Sequence, residues 1–343
     1  MSRRTQRVVC GMIIVLCCVS VIGCTSDADS EAVEYPRDFI DRYRPATFRQ
    51  MKFGVYVEYA SYLYVRKYTT EQIVREIQFY DNLGVDIFRL DIRYDHWVAG
   101  DRESIAKIER AVAEVRRLGK QLWISIYGIE AWNGPTRNDY GSASWEDWKN
   151  MAREETRLVI ENFDPDYLAI LPEAPSLMQN QVETEIETGE WVAFAEELAS
   201  QVKSMSPNTI VVALTALQIE EPRIENRTYF REIMRRHNDI DVVGVDPYSI
   251  YELETFTKTY ALPDTNSAKE LWIGETWDNW NIEYRGELSD LYIKAAVYYA
   301  QSVGMDGVVL FPGGWGLHDS ALQPNRAYFS YKAVINEVRN AAD

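Results

Sequence analysis

The stretch ELWIGETWDNW, residues 270–280, sets a short apolar run against an acid and two indoles: Glu275 closes the run, and Trp277 and Trp280 follow it. A strand ending in a solvated loop would read this way. So would an ionised carboxylate acting as a nucleophile, with flat aromatic faces nearby for the C–H side of a sugar ring. Other chemistries have less material. The histidines are His96, His237 and His318, and no strand carries the His-x-His pair of a metal-dependent hydrolase. A magnesium site from Asp91, Glu173 and Asp246 stays open as an alternative, without a lysine base in any evident place beside it. All four cysteines (Cys10, Cys17, Cys18 and Cys24) fall near the start of the chain. The remainder has none for disulfides, thiol catalysis or zinc–thiolate ligation. No cofactor is implied.

Such an acid needs a rigid element to aim it, and the surrounding pattern is regular. Short β-rich apolar runs recur at 52–58 (KFGVYVE), 85–91 (VDIFRLD), 121–127 (QLWISIY), 166–172 (DYLAILP), 209–215 (TIVVALT), 241–246 (DVVGVD), 270–275 (ELWIGE) and 306–311 (DGVVLF). Most are near-continuously apolar, as strands of a parallel sheet covered on both faces are. Helical patterns separate them. Thr70-Glu71-Gln72-Ile73-Val74 opens one with a threonine cap, places Ile73, Ile77 and Tyr80 on one face, and stops at Gly84. Residues 101–118 repeat the scheme and stop at Gly119. Others are expected at 144–162, 190–205, 225–238, 287–303 and 325–341, with 253–262 the poorest match. Strict alternation means α/β. Eight units fit a single (β/α)8 TIM barrel spanning residues 36–343 better than an open doubly wound sheet. The open sheet wants a glycine-rich phosphate loop after its first strand, and GVYVEYASYLYVRKY at 54–68 has none.

In such barrels the active site is built on the loops after the strands' C-terminal ends. Those ends carry Glu58, Arg89 with Asp91 and Arg93, Tyr127, Glu173, Asp246 with Tyr248, Glu275 and Phe311. With acids on the fourth and seventh strands, the chain resembles a retaining glycoside hydrolase of clan A, the cellulase- and mannanase-like barrels. Leu271-Trp272-Ile273-Gly274-Glu275 is similar to that clan's nucleophile strand, and Gly84-Val85-Asp86-Ile87-Phe88-Arg89 to its second strand. The resemblance implies Glu173 as acid/base, Glu275 as nucleophile, Arg89 as support for the nucleophile, and Tyr248 as its hydrogen-bond partner. Tyr127, Trp277, Phe311 and Trp315 are expected to line the sugar. Two positions depart from the clan: Pro172 stands where asparagine usually precedes the acid/base, and Phe311 where tryptophan usually ends the eighth strand. Glycoside cleavage needs one carboxyl protonated and one ionised. Arg89 would keep Glu275 ionised, while lost solvent and a like charge would raise Glu173. A glycan-binding barrel of the same ancestry, or a carboxylate–metal lyase or isomerase, remains an alternative.

The start of the chain reads separately. Arg3, Arg4 and Arg7 precede an apolar run from Val8 to Ile22, too short for a membrane span and of the kind that leads export. Val21-Ile22-Gly23-Cys24 resembles a lipobox, implying a signal peptide over 1–23, lipidation of Cys24 and a lipid anchor at the outer face of the cell membrane. Ser2-Arg3-Arg4 resembles a twin-arginine signal, with Gln6 where an apolar residue is usual. Residues 24–35 are polar and acidic and read as a tether. The net charge is −17 with three arginines in the leader, so the exported part stands near −20, with 33 basic against 53 acidic residues. That argues against nucleic acid or anionic lipid as a partner, and the resemblance implies a carbohydrate substrate.

Overall fold

The structure is a computed structural model that describes residues 26–98, 100–128, 143–217, 224–236, 238–260, 268–277, 287–311 and 316–342. Helix α1 (Ser26–Arg42) leads into β1 (Lys52–Tyr56) and α2 (Thr70–Asp81). Next come β2 (Ile87–Ile92), α3 (Tyr94–Val98), α4 (Arg102–Arg117), β3 (Gln121–Ile126) and α5 (Trp145–Phe163). After β4 (Tyr167–Leu171) come α6 (Ser176–Gln179) and α7 (Thr188–Met205), then β5 (Ile210–Ala216) and α8 (Ile224–Arg235). The chain continues through β6 (Val242–Asp246), α9 (Ile250–Tyr260), β7 (Glu270–Thr276), α10 (Glu287–Val303), β8 (Gly307–Leu310) and α11 (Arg326–Ala342). The strands pair in parallel in chain order, and β1 closes on β8. This is the single (β/α)8 barrel expected from the sequence.

The apolar residues divide between two clusters. Side chains on the outer faces of the strands meet the helices. Those on the inner faces, including Ile87, Trp123, Tyr167, Val212, Leu214, Val242, Trp272 and Val309, fill the barrel. Trp123, Tyr167 and Trp272 crowd together with ring centroids 5.5–5.7 Å apart. Three large rings leave no channel there, so whatever the strands carry beyond them lies on a solid floor.

Local signals explain the elements. The cap of α2 is Thr69, one residue before the expected position: its hydroxyl accepts from the Gln72 amide, and the Gln72 side chain accepts from the Thr69 amide. Thr70 is therefore the first helical residue. Gly84 and Gly119 follow their helices with φ of 86° and 68°, a region that costs other residues a steric penalty. α8 stops at Arg235, three residues short of the expected end, and α9 starts at Ile250, three residues early. α1 begins inside the residues expected as a tether. Among its described side chains Pro36 is the first that is buried, and Phe39 and Tyr43 meet Tyr299 of α10 at 6.0 and 5.1 Å. Among the described residues no helix is long and apolar enough to cross a membrane.

Candidate active site

Strict alternation along β7 puts Trp272 inward, Ile273 outward and Gly274 inward, which would send Glu275 toward the helices. The pairing with β8 prevents this. Trp272 and Ile273 face Gly307 and Val308, but Thr276 faces Leu310, so two residues of β7 stand against one of β8. The bulge turns Glu275 into the barrel mouth, where it is 4% exposed. β4 has the same device: Ala169 faces Val212 and Leu171 faces Ala213, an extra residue just before Pro172 and Glu173. Glu173 itself has φ of 55°, which is strained for a non-glycine residue. Its carbonyl accepts from Leu177 N–H and Ser176 Oγ at 2.9 and 2.8 Å, which holds the turn.

Glu275 is surrounded by donors. Arg89 Nη2 lies 2.8 Å from Oε2, the Tyr127 hydroxyl donates to the same oxygen at 3.4 Å, and the Tyr248 hydroxyl donates to Oε1. Arg89 is fully buried, and its guanidinium also donates to Asp91 Oδ1 from Nε at 3.0 Å, to the Gly274 carbonyl at 3.0 Å, and to the Tyr127 oxygen at 2.9 Å. Gly274 is required by close approach. A Cβ there would stand 2.3 Å from Leu214 Cδ2 and 3.0 Å from Asp246 Oδ1.

Glu173 contrasts with this. Among the described residues its carboxyl receives no hydrogen bond. Burial pushes it up to about 7 against the pull of Arg89, and the Glu252 and Asp91 charges add to the rise. Burial also pushes Glu275 up, to about 8, against Arg89, with Glu173 and Asp91 adding. The two titrate together, so the donors decide which keeps the charge. An ion pair and two phenols favour the anion at Glu275, and among the described residues no such donor favours it at Glu173.

The remaining expected residues divide. Tyr127 and Tyr248 join the Glu275 cluster, and Phe311 packs on Tyr56 at 4.3 Å beside it. Trp277 is 8% exposed and belongs to the outer apolar cluster, so its indole is packed in the barrel wall. Glu58 turns into a short 3-10 helix (Glu58–Ala60), whose amides at Glu58 and Tyr59 donate to Glu76. His318 lies 3.9 Å from that same Glu76, and His96 is buried. Trp315, Trp280, His237 and Cys24 lie outside the described residues. Among the described residues no group of three acids, histidines or cysteines is placed to hold a metal.

Two residues of the site were missed. Tyr62, from the loop after β1, sits 5.2 Å from the Tyr127 ring with the Arg93 guanidinium 4.9 Å from its own, and burial and the Asp91 charge push its hydroxyl up. Its signal was the aromatic run YASYLY directly after a strand. Glu252, 3% exposed in the first turn of α9, accepts the Tyr248 amide and is pushed up to about 8 by burial. Its signal was Ser249 three residues ahead, a helix-start spacing.

No family model matches the chain, and no curated protein matches it. Among solved structures, it is similar to a GH5_18 protein from Bifidobacterium longum, with a TM-score of 0.63 at 13% identity over 85% of this chain and 80% of that one. It is also similar to an exo-beta-1,4-mannosidase from an Opitutaceae bacterium, with a TM-score of 0.60 at 12% identity over 87% of this chain and 62% of that one. A glycoside hydrolase family 30 subfamily 8 xylanase from Clostridium acetobutylicum gives 0.53 at 14% identity over 84% and 72%. These neighbours are clan A glycoside hydrolases built on eight-stranded parallel barrels. At such identities the likeness is one of fold, and the reading of the site rests on its own geometry.

Proposed function

We propose that the chain is a retaining glycoside hydrolase that cleaves β-linked poly- or oligosaccharide by double displacement. Glu275 attacks the anomeric carbon while Glu173 gives its proton to the departing glycosidic oxygen, leaving a glycosyl-enzyme ester. Glu173, now ionised, takes a proton from water, whose oxygen attacks the same carbon and releases Glu275. Tyr127 and Tyr248 hold the nucleophile, and Phe311 lines the sugar. The observation that carries this reading is the asymmetry of the two glutamates: Glu275 is held by Arg89 and two phenols, while Glu173 has no donor among the described residues. The apolar leader ending in Gly23-Cys24 supports export and a lipid anchor on Cys24. Pro172 favours a second reading, glycan binding without cleavage, because proline offers a sugar hydroxyl no donor.

One experiment separates them. Glu275→Ala should lose turnover, and azide should restore activity on an activated glycoside with inverted anomeric configuration. In Glu173→Ala the glycosyl-enzyme should accumulate, and azide should release it with retention. Wild-type turnover in both variants removes the assignment, and a wild type that binds glycans without forming the ester supports the second reading.

A further inference from the structure

The floor of the mouth holds a carboxyl that the steps above do not use. Asp246 ends β6, is fully buried, and has no hydrogen-bond partner on either side-chain oxygen among the described residues. Its seat is specific: Oδ1 fills space beside Gly274 that a Cβ would contest. The charges that face it are Glu275 from β7, Glu173 from β4, and Arg89 and Asp91 from β2.

Arg89 is the one cation of that set, and it is already engaged. Its guanidinium serves Asp91, the Gly274 carbonyl, Tyr127 and Glu275. A carboxylate buried beside three other acids, with no donor of its own, is strongly unfavourable. The same group as a neutral acid has an O–H to give. Gly274 is covalently next to Glu275, so the Asp246 carboxyl packs against the backbone that carries the anion.

We propose that Asp246 is a neutral carboxylic acid in the working site and gives its hydrogen bond to the Glu275 carboxylate. This positioning role rests on the reaction proposed above. It provides a donor beneath the nucleophile without a second cation, which would hold the anion more tightly and weaken its attack. Burial, followed by the Glu275 and Glu173 charges, pushes Asp246 well above the usual carboxylate range, in agreement with the geometry. A neutral acid kept as a donor by its surroundings has precedent in enzyme sites.

The test uses the full chain carrying isotope-labelled aspartate carboxyls. The infrared difference between wild type and Asp246→Asn at pH 7 should show one protonated-carboxyl band in the wild type that the variant lacks. A carboxylate band in its place overturns the proposal. In parallel, Asp246→Ala should lower kcat on an activated glycoside about ten- to hundredfold with little change in KM, as one hydrogen bond to a charged group is lost. Asp246→Asn, which keeps a neutral donor, should recover most of that loss. Equal kcat in the two variants overturns the positioning role. If the wild type turns over no glycoside, the proposed function falls, and the infrared band still decides the state of Asp246.

Discussion

Glu173→Gln tests the electrostatics of the site without relying on a substrate. In an unfolded chain this carboxyl titrates near 4.5, and in the folded barrel burial carries it to about 7. Between those values the folded state binds a proton that the unfolded state has lost. The wild-type barrel should therefore be most stable below pH 4.5, lose stability as pH rises to about 7, and level off above. At about 1.4 kcal/mol per pH unit, the loss from this group amounts to about 3 kcal/mol. Glutamine has nearly the same shape and cannot ionise, so the variant should match the wild type at pH 4 and exceed it by up to about 3 kcal/mol at pH 8. Relief of the neighbouring Glu275 would add to the gain, since Glu173 is one of the charges that raise it.

The assay is urea unfolding of both proteins across pH 4–9, followed by one probe and fitted with a common slope. A gap that opens between pH 4.5 and 7 and then stays constant is the expected result. A gap of opposite sign at pH 8, with glutamine the less stable, would mean that Glu173 is a paired carboxylate. The argument for its proton would then fail. Activity offers a second check: the alkaline limb of kcat/KM should fall where the pair loses its last proton, between about 7 and 8.

Arg89→Met should destabilise the barrel by about 3–5 kcal/mol at neutral pH, because it strands Asp91 and Glu275 without their buried partner. Denaturant unfolding at pH 7 measures it, and the cost should shrink at pH 4 as both acids take up protons. Cys24→Ser should remove acylation. Mass spectrometry of protein recovered from membranes should find lipid on the wild type alone, and lipid on both, or on neither, speaks against the anchor.

The barrel was legible because its strands are apolar on both faces. The expected runs locate all eight, since Val, Ile and Leu in short stretches bounded by polar loops have few other solutions. The ends Glu173, Glu275, Arg89, Tyr127 and Tyr248 were legible for a related reason: where a strand stops being apolar and turns charged, it has reached the mouth. Tyr62 and Glu252 were not, because they come from a loop and a helix turn whose path is set by tertiary packing. The bulges in β4 and β7 were also hidden. They depend on how one strand registers against the next, and nothing in LPE or IGE alone records an extra residue.

Those bulges matter more to the chemistry than the motif does. With Gly274 facing inward, period-two alternation would bury Glu275 against α10, where a carboxyl serves no substrate. The register slip aims it at the mouth while leaving the Gly274 carbonyl on Arg89, so the group that orients Glu275 also holds the bulge that presents it. The surrounding acids then pose a problem of proton placement. Asp91, Glu173, Asp246 and Glu275 share one guanidinium, and like charges this close cannot all be ionised. Selection among them falls to the donors around each. Two phenols and the guanidinium converge on Glu275, while among the described residues no donor reaches Glu173 or Asp246. On the proposed reading, the acid that attacks is chosen by these donors, and shifting Tyr248 or Tyr127 should redistribute protons across all of the acids.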